Sequence, residues 1–436
     1  MYSVTPKGAR ALPVDRSGHR RPLRSGVAHW VRLVIALSVV IGVVVVPDPA
    51  WAALPSETPD STWHLNGPAW AIVKAGDTIY IGGQFTQLRE NPLNEEGGQV
   101  KNVSNLAAID ATTGAPAPGV EVPKFTGTGS IVYALTVVDG RLWIGGRFTS
   151  ADDKKRTNIA TIDPETGALM NFNPKPNPRV TGGIVWALAD DGSKVYAGGK
   201  FTKVNGQTRN RLAAFSLDGT LDPNWTPSAN NKVADMAVTP DGTGIFITGL
   251  FSSVSNPGGG SQERNKIARL STATGTVHPW VAKGLTISSG VIGMGVNAIG
   301  DRVYWAVGGP DWVAALNINT GARLWKTETD GTVDDAVELG DRVIIGGHFV
   351  LVGPQPGGPG CATHPEECVR HVRLAALSKD GVLDQSWDPK LHGPKFNGVI
   401  EWEGVREFLV VGDKLWIVGE FFKVTDVWQS YFARLS

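Results

Sequence analysis

Two cysteines and two histidines share one loop in the C-terminal part of the chain. They form the pattern Cys361-x-x-His364-x-x-x-Cys368-x-x-His371. Two thiolates and two imidazoles at this spacing are a donor set that can hold zinc tetrahedrally. In an exported protein, the same two cysteines would instead oxidise to a disulfide, which would restrict the unfolded chain by about 2.5 kcal/mol. We expect the disulfide, with the metal site as the alternative.

One pair of carboxylates is a candidate for acid/base chemistry. Glu401 and Glu403 flank Trp402, and side chains two apart on a strand face the same way. Such a pair could serve glycoside hydrolysis. The chain has no serine nucleophile elbow, phosphate-binding glycine loop or calcium-loop spacing. The sequence therefore favours a protein without catalytic activity and without a cofactor.

A third group of residues recurs at a fixed distance before a repeated glycine-containing segment. Counting back from that segment gives equivalent positions at Trp70, Tyr133, Trp186, Ala234, Met294, Asp334 and Arg406. Aromatic rings there could stack on a sugar or another planar ligand, while a group formed by Asp334, Asp335 and Glu407 could supply carboxylates. Alternatively, large residues at these positions wedge neighbouring sheets apart. We take Trp70, Tyr133, Trp186, Asp334, Asp335 and Arg406 as candidate ligand-binding residues near a channel mouth.

The repeated segment itself predicts the fold. Its clear copies are IYIGGQF at Ile79, LWIGGRF at Leu142, VYAGGKF at Val195, IFITGLF at Ile245, VIIGGHF at Val343 and LWIVGEF at Leu415. Each copy is a β-branched and aromatic run, usually preceded by a tight Asp-Gly or Gly-Asp turn, as in a β-hairpin. A polar loop and a second apolar run follow, such as LAAID at Leu106. Four strands per repeat are typical of a β-propeller blade, so we predict an all-β fold.

The number of repeats predicts seven blades. A decayed copy, DRVYWAVGG at Asp301, lacks the terminal phenylalanine and the polar loop. The last repeat ends at Ser436 without the outer-strand signature of the others, whereas STWHLNGP at Ser61 supplies such a strand. An N-terminal strand that completes the last blade would close the ring and leave no open edge. We therefore assign residues 61–436 to a closed seven-bladed propeller.

The first 52 residues differ in kind from the rest. A basic leader precedes an apolar run at 33–46 and the small-residue pattern Ala50-Trp51-Ala52, which is typical of a secretory signal peptide. We expect cleavage after Ala52 and a linker over 53–60. The product would be secreted or lie at the cell surface, and would contact the membrane only if the segment stays uncleaved as an anchor. The remaining residues are mildly acidic, which argues against nucleic acid as a partner.

Two family resemblances support this architecture. The stretch VYAGGKFTKVNGQTRNRLAAFSLDGTLDPNW from Val195 resembles the bacterial delta-sixty repeat propellers. That resemblance implies a seven-bladed fold and export but brings no catalytic residues. The stretch from Ala315 to Trp325 is similar to the tryptophan-docking motif of quinoprotein dehydrogenase propellers, which is structural in that family. The adjacent cysteines that often accompany the quinone are absent, so this similarity does not favour a cofactor.

These observations favour a secreted or cell-surface β-propeller that binds a protein or an extracellular glycan. The alternative is an enzyme that acts on polysaccharide or uses a quinone, with its chemistry at the channel mouth. Fold alone does not decide between them.

Overall fold

The described part of the chain is built almost entirely from β-strands. A computed structural model describes residues 53–171, 179–393, 395–396, 399–400 and 404–436 of the 436-residue chain. Within these residues there is no α-helix, and the one helical element is a short 3-10 turn at Pro365–Glu367. No helix in this part of the chain is long and apolar enough to span a bilayer.

Seven antiparallel sheets, which we call the axial sheets, carry the repeated segments. They are sheet 1 (Ala69–Ala75, Thr78–Gly83, Leu106–Asp110), sheet 2 (Ile131–Val138, Arg141–Arg147, Ile159–Ile162), sheet 3 (Val185–Asp190, Lys194–Gly199, Leu212–Ser216), sheet 4 (Val233–Val238, Gly244–Gly249, Ile267–Ser271), sheet 5 (Ile292–Ile299, Arg302–Gly308, Trp312–Asn317, Arg323–Glu328), sheet 6 (Val333–Leu339, Arg342–Gly347, Leu374–Ser378) and sheet 7 (Val405–Val411, Lys414–Gly419, Phe432–Leu435). The first two strands of each axial sheet form the hairpin that the repeated segment predicts.

The first strands of the axial sheets contact one another in cyclic order. Each lies beside the first strand of the next sheet, and that of sheet 7 lies beside that of sheet 1. Sheet 5 has four continuous strands and corresponds to the repeat without a polar loop. In five of the other sheets a single bridge, such as Phe215 with Leu221, marks the start of a fourth strand. This arrangement around an axis is propeller-like.

The polar loops form short sheets of their own at the periphery. These are His64–Leu65 with Gln87–Arg89 and Val100–Asn102, Phe125–Thr126 with Ser150–Ala151 and Lys154–Lys155, Val180–Thr181 with Lys203–Val204 and Gln207–Thr208, Ser228–Ala229 with Ser253–Ser255 and Ser261–Glu263, Leu351–Val352 with Val369–Arg370, Leu391–His392 with Lys423–Val424 and Val427–Trp428, and Lys395–Phe396 with Val399–Ile400. In most of them a strand entering the repeat pairs with the hairpin of its polar loop.

Tryptophans tie neighbouring sheets together. The indole Nε1 of Trp225 donates to the carbonyl of Ser271 at 3.0 Å, and that of Trp280 donates to Asn317 at 3.2 Å. Trp325 and Trp387 make the same kind of bond to Lys379 and Pro55, respectively. A buried indole that donates across a sheet boundary fixes the spacing of the sheets, since an unpaired N–H there would be costly.

The N-terminal segment packs against the last axial sheet. The amide of Ser56 donates to the carbonyl of Ser436 at 3.1 Å, and the amide of Asp60 donates to that of Arg434 at 2.8 Å. The carbonyl of Pro55 accepts the bond from Trp387. The sequence assigns residues 53–60 to a linker. In the structure, backbone amides of this segment already donate to the end of sheet 7, so packing against that sheet starts before residue 61.

Candidate axial binding site

Every axial sheet has a bulge in its first strand, at the same place. The pairing register with the second strand skips Trp70, Tyr133, Trp186, Ala234, Asp334 and Arg406 in their sheets, and skips Met294 together with Gly295 in sheet 5. A bulge leaves its extra residue unpaired and re-aims its side chain. All seven of these residues line a single cavity of about 250 Å³.

The repeated glycine pair makes the bulge possible, as sheet 3 illustrates. A Cβ on Gly199 would lie 2.1 Å from the carbonyl oxygen of Ile184, which is backbone of the bulged strand. A Cβ on Gly198 would instead meet the side chain of Met236 in the next sheet, with its Sδ at 2.5 Å. The second glycine therefore allows the bulged strand to approach, and the first allows the neighbouring sheet to pack.

The three predicted aromatic residues form one continuous arc in this cavity. The ring centroids of Trp70 and Tyr133 are 5.5 Å apart in an edge-on arrangement, and those of Tyr133 and Trp186 are 4.1 Å apart. The indole Nε1 atoms of Trp70 and Trp186 are buried and have no hydrogen-bond partner among the described residues. The rings thus pack against one another and line the cavity at the same time.

Each end of the arc is covered by a cation. The guanidinium of Arg406 lies 4.5 Å from the ring centroid of Trp70, and the Nζ of Lys232 lies 3.7 Å from that of Trp186. A cation over an indole face is held by the ring quadrupole, most strongly where water is excluded. Both tryptophan faces are therefore partly occupied by the protein's own side chains.

Arg406 also joins the predicted carboxylate side of the cavity. Its Nη1 donates to Asp334 Oδ2 at 2.9 Å, and its Nη2 donates to Glu420 Oε1 at 2.7 Å. Asp334 is 7% exposed, and its Oδ1 is buried without a partner among the described residues. The charge of Arg406 is thus compensated within the protein, while one acceptor of Asp334 is left unused.

A second layer of acids lies one residue after the bulge in sheets 4, 6 and 7. Asp235 accepts a hydrogen bond from the amide of Val296 at 2.8 Å. Asp335 and Glu407 accept in the same way from Phe408 at 3.0 Å and from Ile72 at 3.2 Å. Every donor belongs to the first strand of the following sheet, so these acids connect consecutive sheets around the axis.

The acids of this layer are shifted toward the neutral form. Burial, and then the nearby charge of Asp235, raises the pKa of Asp335 to about 7. Burial raises the pKa of Asp235 to about 6 and that of Glu407 well above its ordinary value. Desolvation disfavours a charged carboxylate, and the amide donors offset only part of this effect.

The structure brings all six candidate ligand-binding residues to one cavity. Sequence reasoning missed Lys232 and Asp235, which lie on either side of the bulge residue Ala234. Counting back from the glycine segment selected only the bulge position of each repeat. In sheet 4 that position is Ala234, so the charged residues beside it were not selected. An acid at the position after the bulge in sheets 4, 6 and 7 is the signal that could have identified Asp235.

The cysteine loop forms a disulfide between Cys361 and Cys368. Neither sulfur is therefore a thiolate ligand in this structure. His364 is exposed, whereas His371 is buried with its Nδ1 3.8 Å from Asp388 Oδ1. Within the described ranges, no group of three or more histidine, cysteine or acidic side chains is arranged to hold a metal ion. Glu401 and Glu403 lie outside the described residues.

One family model and several solved structures are similar to this chain. A family model described as a domain of unknown function (DUF5122) beta-propeller matches residues 193–224, which include the glycine pair of sheet 3. No curated protein matches the chain in sequence. Similar solved structures include the computationally designed Ika8 protein (12% identity, 86% of this chain and 99% of that chain, TM-score 0.47) and the WD40 beta propeller domain of Doa1 (12% identity, 86% and 95%, TM-score 0.49). The sheet order and the matched family model together identify the fold of this chain as a β-propeller.

Proposed function

We propose that this chain is an exported, closed seven-bladed β-propeller that binds an extracellular glycan at its axial cavity and catalyses no reaction. The observation that carries the proposal is the arc of Trp70, Tyr133 and Trp186. The bulged strands point these three side chains into one cavity, beside charged groups. Small-ligand sites characteristically combine apolar and aromatic walls with a few polar groups that set orientation. Sugar rings offer the apolar faces and hydroxyl groups that fit such walls.

The closed ring is supported by contacts at both ends of the described chain. Sheet 7 lies beside sheet 1, and the segment after Pro55 hydrogen-bonds to the last strand of sheet 7. Export is supported by the basic leader and apolar run within residues 1–52, and it fits the disulfide, since disulfides persist in oxidising compartments. The protein would then be secreted or held at the cell surface.

The alternative of an enzyme acting on polysaccharide has one observation in its favour. The pKa of Asp335, raised to about 7 by burial, would suit a general acid. However, both carboxylate oxygens of Asp335 accept hydrogen bonds, from Phe408 on one side and from Asn297 on the other. These bonds assign Asp335 to the contact between sheets, which is why we favour binding over hydrolysis.

The test is a glycan array probed with the wild-type protein and two variants. We expect Trp186→Ala to lose at least tenfold in affinity for any bound glycan, since it removes one of the two indole rings of the arc. Trp428→Ala is the matched control, because Trp428 is a half-buried indole on a peripheral hairpin under the cation of Lys423. Binding that both variants retain would place the ligand elsewhere and overturn the proposal. Release of reducing ends from bound polysaccharide would establish the enzymatic alternative.

A further inference from the structure

Lys232 is a cation in the axial cavity, and no described carboxylate forms an ion pair with it. It lies directly before the first strand of sheet 4, and its Nζ contacts the ring of Trp186. Among the described residues no carboxylate lies within ion-pair distance of this Nζ, whereas Arg406 has two. A half-buried ammonium that contacts an aromatic face and forms no direct ion pair is a place where an external anion would be stabilised.

Further cations surround the aromatic half of the cavity mouth. Arg147 ends the second strand of sheet 2, and Lys200 follows that of sheet 3. Both belong to the repeated segments, at the position between the glycine and the phenylalanine. The charge of Lys200 acts on Lys232, and that of Arg147 acts on Tyr133. Arg406 pairs with Asp334 and Glu420 at the Trp70 end of the arc, whereas no carboxylate of the described residues pairs with Lys232 at the Trp186 end, which is therefore the more positive end.

We propose, building on the glycan-binding function above, that the ligand ends in an acidic sugar, whose carboxylate pairs with Lys232 while its ring takes the Trp186 face that Lys232 now covers. A neutral sugar would have to displace the ammonium from the indole without replacing that contact. An acidic sugar replaces the cation–π contact with a charge-assisted hydrogen bond. The cavity of about 250 Å³ lies below the ~300–1,000 Å³ range of sites for larger ligands, so it suits a terminal residue.

The charge state of Lys232 gives this inference a pH signature. Burial, followed by the charge of Arg406, lowers the pKa of Lys232 to about 8; Asp334 and Lys200 also face it, with opposite effects. Lys232 is therefore protonated below pH 8 and neutral above it, while the sugar carboxylate stays ionised throughout. Affinity for the acidic sugar should fall as the pH rises through 8, and affinity for a neutral sugar should not.

The experiment is calorimetric titration with two oligosaccharides that differ only at the terminal residue, glucuronic acid in one and glucose in the other. At pH 6.5 we expect the wild-type protein to bind the acidic one at least tenfold more tightly, and at pH 9 this preference should shrink. Lys232→Ala should abolish the preference, because the acidic ligand loses its cationic partner. Lys232→Arg should keep the preference and show a smaller dependence on pH than the wild-type protein, since Asp334 and Asp335 titrate in both proteins.

The control and the contrary outcomes are separable. Lys423→Ala removes a cation from the ring of Trp428. Neither residue lines the axial cavity, so this variant should change neither affinity. Equal affinity for the two oligosaccharides, lost in Trp186→Ala, would overturn the acidic-sugar inference and leave glycan binding standing. If neither oligosaccharide nor any array glycan binds in a Trp186-dependent way, both proposals are wrong.

Discussion

Glu407 is an acid whose hydrogen-bond partner is a backbone amide rather than a cation. It accepts from Ile72 in the next sheet, and burial holds its pKa well above 4.5, its ordinary value. Asp235 and Asp335 are in the same position, with pKa values raised to about 6 and about 7. At low pH these acids are neutral donors and acceptors, and at higher pH they become buried charges. The stability of the protein should therefore depend on pH through this layer.

The first prediction concerns the substitution Glu407→Gln. Because the folded state keeps the proton of Glu407 after the unfolded state has released it, the unfolding free energy should fall as the pH rises above 4.5. Within that window the loss is about 1.4 kcal/mol per pH unit for one group, and Gln, which can still accept from Ile72, should remove it. Urea denaturation between pH 4 and pH 8 measures the two slopes.

The exposed Glu366 provides the matched control for this prediction. Glu366→Gln should leave the pH dependence of the wild-type protein unchanged. Parallel slopes for wild type and Glu407→Gln would mean that Glu407 is charged in the folded protein, contrary to this account.

Some of the individual residues that line the cavity could be predicted from the sequence. Counting from the glycine pair placed Trp70, Tyr133 and Trp186 on one surface, because a repeat puts equivalent positions at equivalent places. The pairing of Arg406 with Asp334 could not be read that way, because it joins residues from different repeats. The contact of Lys232 with Trp186 could not be predicted from the repeat either, since it depends on the packing of sheet 4 against sheet 3.

The element that creates the site is the hairpin in which a bulged first strand packs against the glycine end of the second strand. The hairpins and the following apolar strands were predicted from alternation and turn residues, and the structure has them. The bulge was not predicted, because one unpaired residue leaves the apolar pattern of a buried strand unchanged. The sequence feature that marks the bulge is the second glycine of the pair. Only a residue without a Cβ allows the backbone of the bulged strand to come this close.

The second prediction compares Gly199→Ala with Gly198→Ala. A methyl on Gly199 would collide with the backbone at Ile184, whereas one on Gly198 meets two side chains, those of Met236 and Val233. We expect Gly199→Ala to lower the unfolding free energy by about 1–3 kcal/mol more than Gly198→Ala, since backbone yields less than a side chain. Thermal or urea unfolding of both variants measures the difference.

Because the same bulge carries Trp186, Gly199→Ala should also weaken glycan binding more than Gly198→Ala does. If the two variants were equally stable, the close backbone approach would not be what the second glycine provides.

For the whole molecule, the main question is whether the N-terminal segment closes the ring. The sequence placed an N-terminal strand beside the last repeat because that repeat lacked its outer signature. The structure has hydrogen bonds from Ser56 and Asp60 to the end of sheet 7, which begin before Ser61, the predicted start of that strand. The precise start could not be read from the sequence, since residues 53–60 have no strand-like pattern of their own.

The third prediction tests this closure with Arg434→Ala. Arg434 forms an ion pair with Asp60 and donates to the carbonyls of Ala111 and Thr112, so it joins the N-terminal segment to sheets 7 and 1. Its side chain is 9% exposed and that of Asp60 23% exposed. Removing one partner of a mostly buried pair costs about 3–5 kcal/mol, and the exposure of Asp60 reduces the expected loss to about 2–3 kcal/mol.

Hydrogen exchange provides the local readout for this variant. The amides of Ser56, Asp60 and Trp63 should exchange faster in Arg434→Ala, while Arg370→Ala, which changes an exposed arginine of a peripheral hairpin, should leave them protected. Unchanged protection in both variants would show that the N-terminal segment does not depend on this contact.

The central claim is that the bulge-directed residues of the axial cavity bind a sugar. A crystal structure of the protein soaked with the glucuronic-acid-terminated oligosaccharide tests it most directly. We expect density for the terminal ring against Trp186, with its carboxylate within hydrogen-bond distance of Lys232 Nζ and with that Nζ moved off the indole face. A sugar bound only at the peripheral hairpins, with Lys232 still over Trp186, would contradict the account.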